Sequence, residues 1–201
     1  MTLYKNKEKF ERISIKVGII FSRLGLSPNQ WTLSSLIPAL IAFYLLTSSR
    51  FIPAGIFFFI SAFIDLVDGS VARVTGRVTK LGAYLDTIID RYVEFLIIFA
   101  LLFCPLPDFT IPIYCWILVF LFGSMMTSYA KAAACDKLGK DVRGGIVERA
   151  ERIALLCIGI LLAHFDRVYL TYIIVILAVL TNISALQRLA AAIRKNGSAG
   201  I

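Results

Sequence analysis

The sequence predicts an all-α, polytopic membrane protein with six transmembrane helices and an N-terminal amphipathic interfacial helix. Three observations carry this prediction. Of the 201 residues 59% are hydrophobic, and the mean hydropathy is +0.82, more apolar surface than a soluble chain of this length can hide. Apolar runs of about 18 residues or more recur, and a bilayer core needs about 20 per helix. Finally, the 21 Lys and Arg residues fall almost entirely in alternate connections between those runs.

The elements follow in order. Residues 1–29 read as a cytoplasmic juxtamembrane arm, because Phe10, Ile13, Val17, Ile20, Phe21 and Leu24 recur at helical spacing while Lys9, Arg12, Lys16 and Arg23 occupy other faces. This arm lacks the uninterrupted apolar core of a cleavable signal peptide. Ser27 and Pro28 then suit a helix start, Ser27 as cap and Pro28 in the first turn. Spans are predicted at 31–48, 52–72, 82–104, 110–134, 150–165 and 168–187, within one membrane domain over 30–190. Short outer turns fall at Ser48 to Pro53 and Cys104 to Pro112, and the longest loop runs from Lys137 to Glu148 around Gly139, Gly144 and Gly145. Residues 191–201 read as a flexible cytoplasmic tail.

These spans place 18 of the 21 basic residues on one side, leaving Arg50 and Arg167 opposite and Arg91 within a helix. By the positive-inside rule both termini are cytoplasmic. The formal net charge of +8 is spread over membrane-proximal loops with few aromatics beside it, which argues against nucleic acid and for anionic lipid head groups or phosphorylated substrates. Cys104, Cys115, Cys135 and Cys157 show no C-x-x-C spacing, so they are expected to be packing thiols, neither disulfide-linked nor zinc-bound. No 20–50 residue repeat is visible.

Against this apolar background stand Asp65, Asp68, Asp86 and Asp90. An ionised Asp at a helix centre costs about 2.5–3.5 kcal/mol, so four cost on the order of 10 kcal/mol without compensation. Two divalent cations would cancel the four charges, and carboxylate oxygens are hard ligands. At about 100° per residue, Asp65, Asp68, Gly69, Ala72 and Arg73 share an arc of roughly 140° on one helix. On the next helix Gly82, Asp86 and Asp90 share roughly 80°, so two acidic stripes can face each other. Gly69 and Ala72 leave that face open to a flat base or a phosphate, and Arg73 can fork onto a phosphate. The bland alternative pairs Asp86 or Asp90 with Arg91 as interhelical glue; Glu94 either extends the pocket or pairs with Arg91.

The string Asp65-Leu-Val-Asp68-Gly69-Ser-Val-Ala72-Arg73, eight residues, Gly82-Ala-Tyr-Leu-Asp86-Thr-Ile-Ile-Asp90 resembles the signature of the CDP-alcohol phosphotransferases at every fixed position. The S-P-N-x-x-T stretch over 27–32 and the six-helix layout extend the resemblance over most of the chain. The resemblance implies that an alcohol attacks the lipid-bearing phosphate of a CDP-linked lipid and releases CMP. By motif position it implies Asp65, Asp68, Asp86 and Asp90 as ligands of two Mg²⁺ or Mn²⁺ ions, with Asp90 also accepting the hydroxyl proton. It implies Asp65, Gly69, Ala72 and Arg73 at the CDP site, and a homodimer.

A second stretch, Ser128-Tyr-Ala-Lys131-Ala, then Glu148-Arg149-Ala-Glu151-Arg152, places three cations around one glycine-containing loop. That suits a phosphorylated polyol acceptor. It is similar to the inositol-phosphate-using subgroup, departing from it at Ala133 and Cys135. The similarity implies Ser128, Lys131, Arg149, Arg152 and Arg188 as ligands of the acceptor phosphate. Inositol phosphate is the first expectation; glycerol phosphate or serine is the alternative. A cation transporter is the rival from another class, although acids confined to two helices within about 12 Å of a loop favour chemistry at the membrane surface.

Overall fold

The computed structural model describes residues 14–139, 141–142 and 144–197. Phe10, Ile13 and the other arm residues before Ser14, together with Lys140, Arg143 and residues 198–201, lie outside the described residues. Within them, every regular element is helical: α1 over 14–22, α2 Pro28–Ser34, α3 Leu36–Thr47, α4 Phe51–Val74, α5 Lys80–Leu101, α6 Ile113–Leu138, α7 Arg149–Leu162 and α8 Arg167–Gly197. Chain direction alternates, so the starts of α2, α5 and α7 gather with the ends of α4, α6 and α8. At the opposite end Arg167 donates to the Pro105 carbonyl and Thr171 to that of Pro107, tying α8 to the α5–α6 connection.

Four segments are long and apolar enough to cross a bilayer: Pro28–Thr47, Phe51–Val74, Ile113–Leu138 and Arg167–Arg194. The protein is therefore an integral membrane protein by the length and composition of its helices. The other two predicted spans differ in kind. α5 has 22 residues but carries Asp86, Asp90, Arg91 and Glu94. α7 has 14 residues, about 21 Å of helix, against a hydrocarbon core of about 30 Å.

The span expected at 31–48 is broken at Ser35 into α2 and α3. Pro38 lacks an N–H and its ring crowds the carbonyl of Ser34, four residues back, so the hydrogen-bond ladder is interrupted there while the Ser35 backbone stays right-handed helical and the path continues through Thr47. The Ser35 carbonyl accepts from the Ser61 hydroxyl at 2.8 Å, which seats the break against α4. Ser27 caps α2 in a reciprocal box with Gln30, and Thr79 caps α5 through the Gly82 N–H. The tail expected from 191 is helical through Gly197, because the Ala190–Ala192 run propagates α8.

A core of Leu46, Phe58, Ile97, Leu101, Phe120, Ile160 and Leu177 fills the bundle away from the acidic residues. A separate small cluster of Trp31, Val67 and Val71 lies under α1, with Val17 and Phe21 packed on it. Ile20 and Leu24, expected on the same stripe of the arm, are each 62% exposed. Cys104 and Cys157 are buried, and all four cysteines are free thiols.

Candidate active site

The acidic residues converge. Asp65 and Asp68 on α4 and Asp86 on α5 each offer a carboxylate oxygen, and these oxygens lie within 4.8 Å of one another. Oxygens at such spacing can surround one hard cation, and none of the three brings a soft donor. Asp68 is 4% exposed, so its charge needs such partners. One is Thr32, whose hydroxyl lies 2.5 Å from Asp68 Oδ2 and 3.1 Å from the Pro28 carbonyl.

Asp90 stands one turn beyond Asp86 and is 7% exposed. It reaches Asp65 through Arg149, whose Nη1 donates to Asp65 Oδ2 at 3.0 Å and whose Nη2 lies 2.5 Å from Asp90 Oδ1. The second contact is an ion pair off the line of a hydrogen bond, since Asp90 Oδ1 and Arg149 Nε are buried without a hydrogen-bond partner. Arg149 was expected on an acceptor phosphate; here its guanidinium bridges two of the four aspartates.

Two pockets flank the carboxylates. The first is lined by Asn29 and Thr32 of α2, by Asp68, Gly69, Ala72 and Arg73 of α4, and by Gly82 and Asp86 of α5. A Cβ added at Gly69 would meet only the Arg73 guanidinium, Nη1 at 3.5 Å and Nη2 at 3.9 Å, so that face of α4 opens into the pocket. The second is lined by Thr87, Arg91, Ser128, Lys131, Arg149, Arg152 and Arg188, beneath a loop where Gly144 and Gly145 adopt φ of 109° and 139°, a region that favours glycine. All five residues expected at an acceptor phosphate meet there although they come from α6, α7 and α8. Asp86 lines the first pocket and its neighbour Thr87 the second, which puts the carboxylates at the junction.

Arg152 is less available than expected. It is 2% exposed, with Nε and Nη2 donating to the two oxygens of Glu94 at 3.0 and 3.2 Å and Nη1 to Thr127 at 3.2 Å. Glu94 also accepts from Arg91 at 3.3 Å and from Ser124 at 2.5 Å. It therefore does pair with Arg91, and it also anchors the floor of the basic pocket. Arg188 donates to the carbonyls of Thr127 and Gly144. Sequence reasoning assigned no role to Thr32 or to Ser124, whose partners are 36 and 30 residues away; the signal for Thr32 was its place in S-P-N-x-x-T.

Residues 26–184 match the family described as CDP-alcohol phosphatidyltransferase. The chain belongs to this family. Among similar proteins of the family is the archaetidylinositol phosphate synthase of Pyrococcus horikoshii, 34% identical over 184 residues, covering 90% of this chain and 93% of the relative. The phosphatidylinositol phosphate synthase of Corynebacterium glutamicum is 32% identical over 147 residues, 72% of this chain and 67% of the relative. Among solved structures, the Mycobacterium tuberculosis phosphatidylinositol phosphate synthase with CDP-DAG bound superposes with a TM-score of 0.79 at 28% identity, covering 90% of this chain and 94% of that one. The same enzyme in complex with manganese and citrate also gives 0.79, at 26% identity, covering 89% and 88%. The chain is thus a CDP-alcohol phosphotransferase, an enzyme of phospholipid synthesis, and its three clustered carboxylates suit the divalent metal this chemistry uses.

Proposed function

We propose that this enzyme transfers a diradylglyceryl-phosphate group from a CDP-linked lipid to inositol phosphate, releasing CMP. The observation that carries the reading is the carboxylate cluster set between a pocket lined by Gly69, Ala72 and Arg73 and a pocket rich in Lys and Arg. Asp65, Gly69, Ala72 and Arg73 would hold CDP, the two small residues admitting it against α4 and Arg73 meeting its diphosphate. Two Mg²⁺ or Mn²⁺ ions, held by Asp65, Asp68, Asp86 and Asp90, would neutralise diphosphate charge and polarise its oxygens. Lys131, Ser128 and Arg188 would bind the acceptor phosphate, with Arg149 reaching from the aspartates and Arg152 forming the wall beneath.

The acceptor hydroxyl oxygen forms a new bond to the lipid-bearing phosphorus. Its proton passes to Asp90, and the bond from that phosphorus to the bridging oxygen breaks, so that CMP leaves with the bridging oxygen. Supporting this role, Asp90 contacts Arg149, which lines the basic pocket. The reading includes six spans, α2 and α3 together making the first, with α1 as an amphipathic helix in the cytoplasmic interface. The positive-inside distribution supports cytoplasmic termini and a site near that face. The family resemblance supports a homodimer.

The testing experiment offers inositol phosphate, glycerol phosphate, serine and free inositol to the purified chain with CDP-lipid and counts CMP. Inositol phosphate is expected to give the highest kcat/KM. Preference for glycerol phosphate would contradict inositol phosphate as the acceptor, and preference for serine or free inositol would contradict the assignment of the basic pocket to an acceptor phosphate.

A further inference from the structure

The helix over 14–22 reaches the first pocket through one residue. Arg73 Nη2 donates to Ser14 Oγ at 2.7 Å and lies 3.4 Å from Ser70 Oγ. The two serine oxygens are 2.8 Å apart, and Ser70 Oγ donates to the Leu66 carbonyl at 2.8 Å. One assignment of protons satisfies the whole chain: Arg73 gives to Ser14, Ser14 to Ser70, and Ser70 to Leu66. Each hydroxyl then donates once and accepts at least once.

The backbone of α1 is held where this chain needs it. A Cβ added at Gly18, one turn after Ser14, would lie 2.6 Å from the Ser70 carbonyl oxygen and 2.7 Å from Val74 Cγ2, so only glycine lets the two helices approach this closely. Phe21, a turn further, meets Trp31 edge-on at 5.4 Å and Phe63 at 5.9 Å. Positions 14, 18 and 21 thus seat one face of α1 on α4 and α2. Arg73 itself is an exposed, many-rotamer side chain at the end of α4. Within α4 its acceptor is Ser70 Oγ at 3.4 Å, a long contact, and the shorter acceptor that holds its guanidinium at the pocket is Ser14 Oγ at 2.7 Å.

We infer that Ser14 is a positioning residue for the nucleotide site: through its hydroxyl, the N-terminal arm orders Arg73 against the diphosphate and so forms part of the CDP subsite. This rests on the reading of the first pocket as the place where CDP binds. Nucleotide affinity then depends on a residue 51 positions before Asp65 in the chain and outside the signature.

The test measures CDP binding to the purified full chain by calorimetry in the presence of Mg²⁺, alongside KM for CDP-lipid and for inositol phosphate. Ser14→Ala is expected to weaken CDP by about 5-fold, the worth of one net hydrogen bond. It should raise the CDP-lipid KM to match and leave the acceptor KM unchanged, while Ser14→Thr restores CDP binding. In an Arg73→Ala background, Ser14→Ala should add nothing. Gly18→Val, which forces α1 away from α4, should reproduce the Ser14→Ala loss. Wild-type CDP affinity in Ser14→Ala, or an undiminished effect in the Arg73→Ala background, overturns the inference while leaving the nucleotide reading intact. CDP binding indifferent to Arg73→Ala overturns the nucleotide reading and the inference with it.

Discussion

The two pockets beside the aspartates are built in different ways. The first draws on α2 and on a short run of chain from Asp68 to Asp86, so its wall is a local pattern on two successive helices. The second collects Thr87, Lys131, Arg149 and Arg188 from four helices across about half the sequence, and only the bundle's topology brings them together. The first mixes carboxylates with Arg73 and Arg77, while the second holds five cations with Asp141 and Glu148. A site meant for a metal-bound diphosphate needs acids at fixed helical intervals. A site meant for a dianion needs only that cations converge, and it is correspondingly free in sequence.

That contrast is open to test by substitutions that should separate the pockets. The largest effect is expected at the shared cluster: Asp68→Asn or Asp86→Asn should cut metal-dependent CMP release by more than about 100-fold, beyond the ~10–100-fold typical of losing an outer-shell partner. Near-normal rates in either variant would remove those residues from metal binding. Arg152→Ala should act mainly on the fold, because it leaves the buried Glu94 with only Arg91 and Ser124. A loss of about 3 kcal/mol in thermal or denaturant unfolding is expected, with the acceptor pocket loosened in parallel. A fully stable Arg152→Ala enzyme would show that Glu94 is not the anchor proposed. Lys131→Ala should raise the KM for inositol phosphate by about 10-fold, the cost of one charge-assisted contact, without changing that for CDP-lipid. A change in the CDP-lipid KM would mean that the two pockets are not separate. Thr32→Val should weaken Mn²⁺ binding by up to about 10-fold through Asp68, read by titration of the bound ion. Unaltered Mn²⁺ affinity would reduce Thr32 to a helix-packing residue.

Much of this was legible in the sequence because membranes and metals both impose strict patterns. A carboxylate in an apolar helix is costly enough to be informative, and the i, i+3 and i, i+4 spacings place Asp65 with Asp68 and Asp86 with Asp90 before any coordinates are known. The order of helices follows from apolar runs, and the grouping of the basic residues follows from their alternation. What could not be read were contacts set by tertiary approach. Glu94 shows only Arg91 within helical reach, and its link to Arg152 across 58 residues leaves no local trace. The break at Ser35 was signalled by Pro38 but is masked by uniformly apolar neighbours. Ile20 and Leu24 follow the same apolar spacing as Val17 and Phe21, yet Gly18 and Ser14 decide which side of α1 meets α4. Helical periodicity finds an apolar face; it does not say whether that face meets lipid or protein.

The central claim is that carboxylates from α4 and α5 hold the divalent ions on which the diphosphate of a CDP-lipid rests. Electron-nuclear double resonance of Mn²⁺ bound to the full chain with CDP tests it most directly. The account predicts phosphorus-31 coupling from the CDP diphosphate in the wild type and its loss, together with the bound Mn²⁺ signal, in Asp86→Asn. Mn²⁺ bound without phosphorus coupling, or an unchanged spectrum in Asp86→Asn, would contradict it.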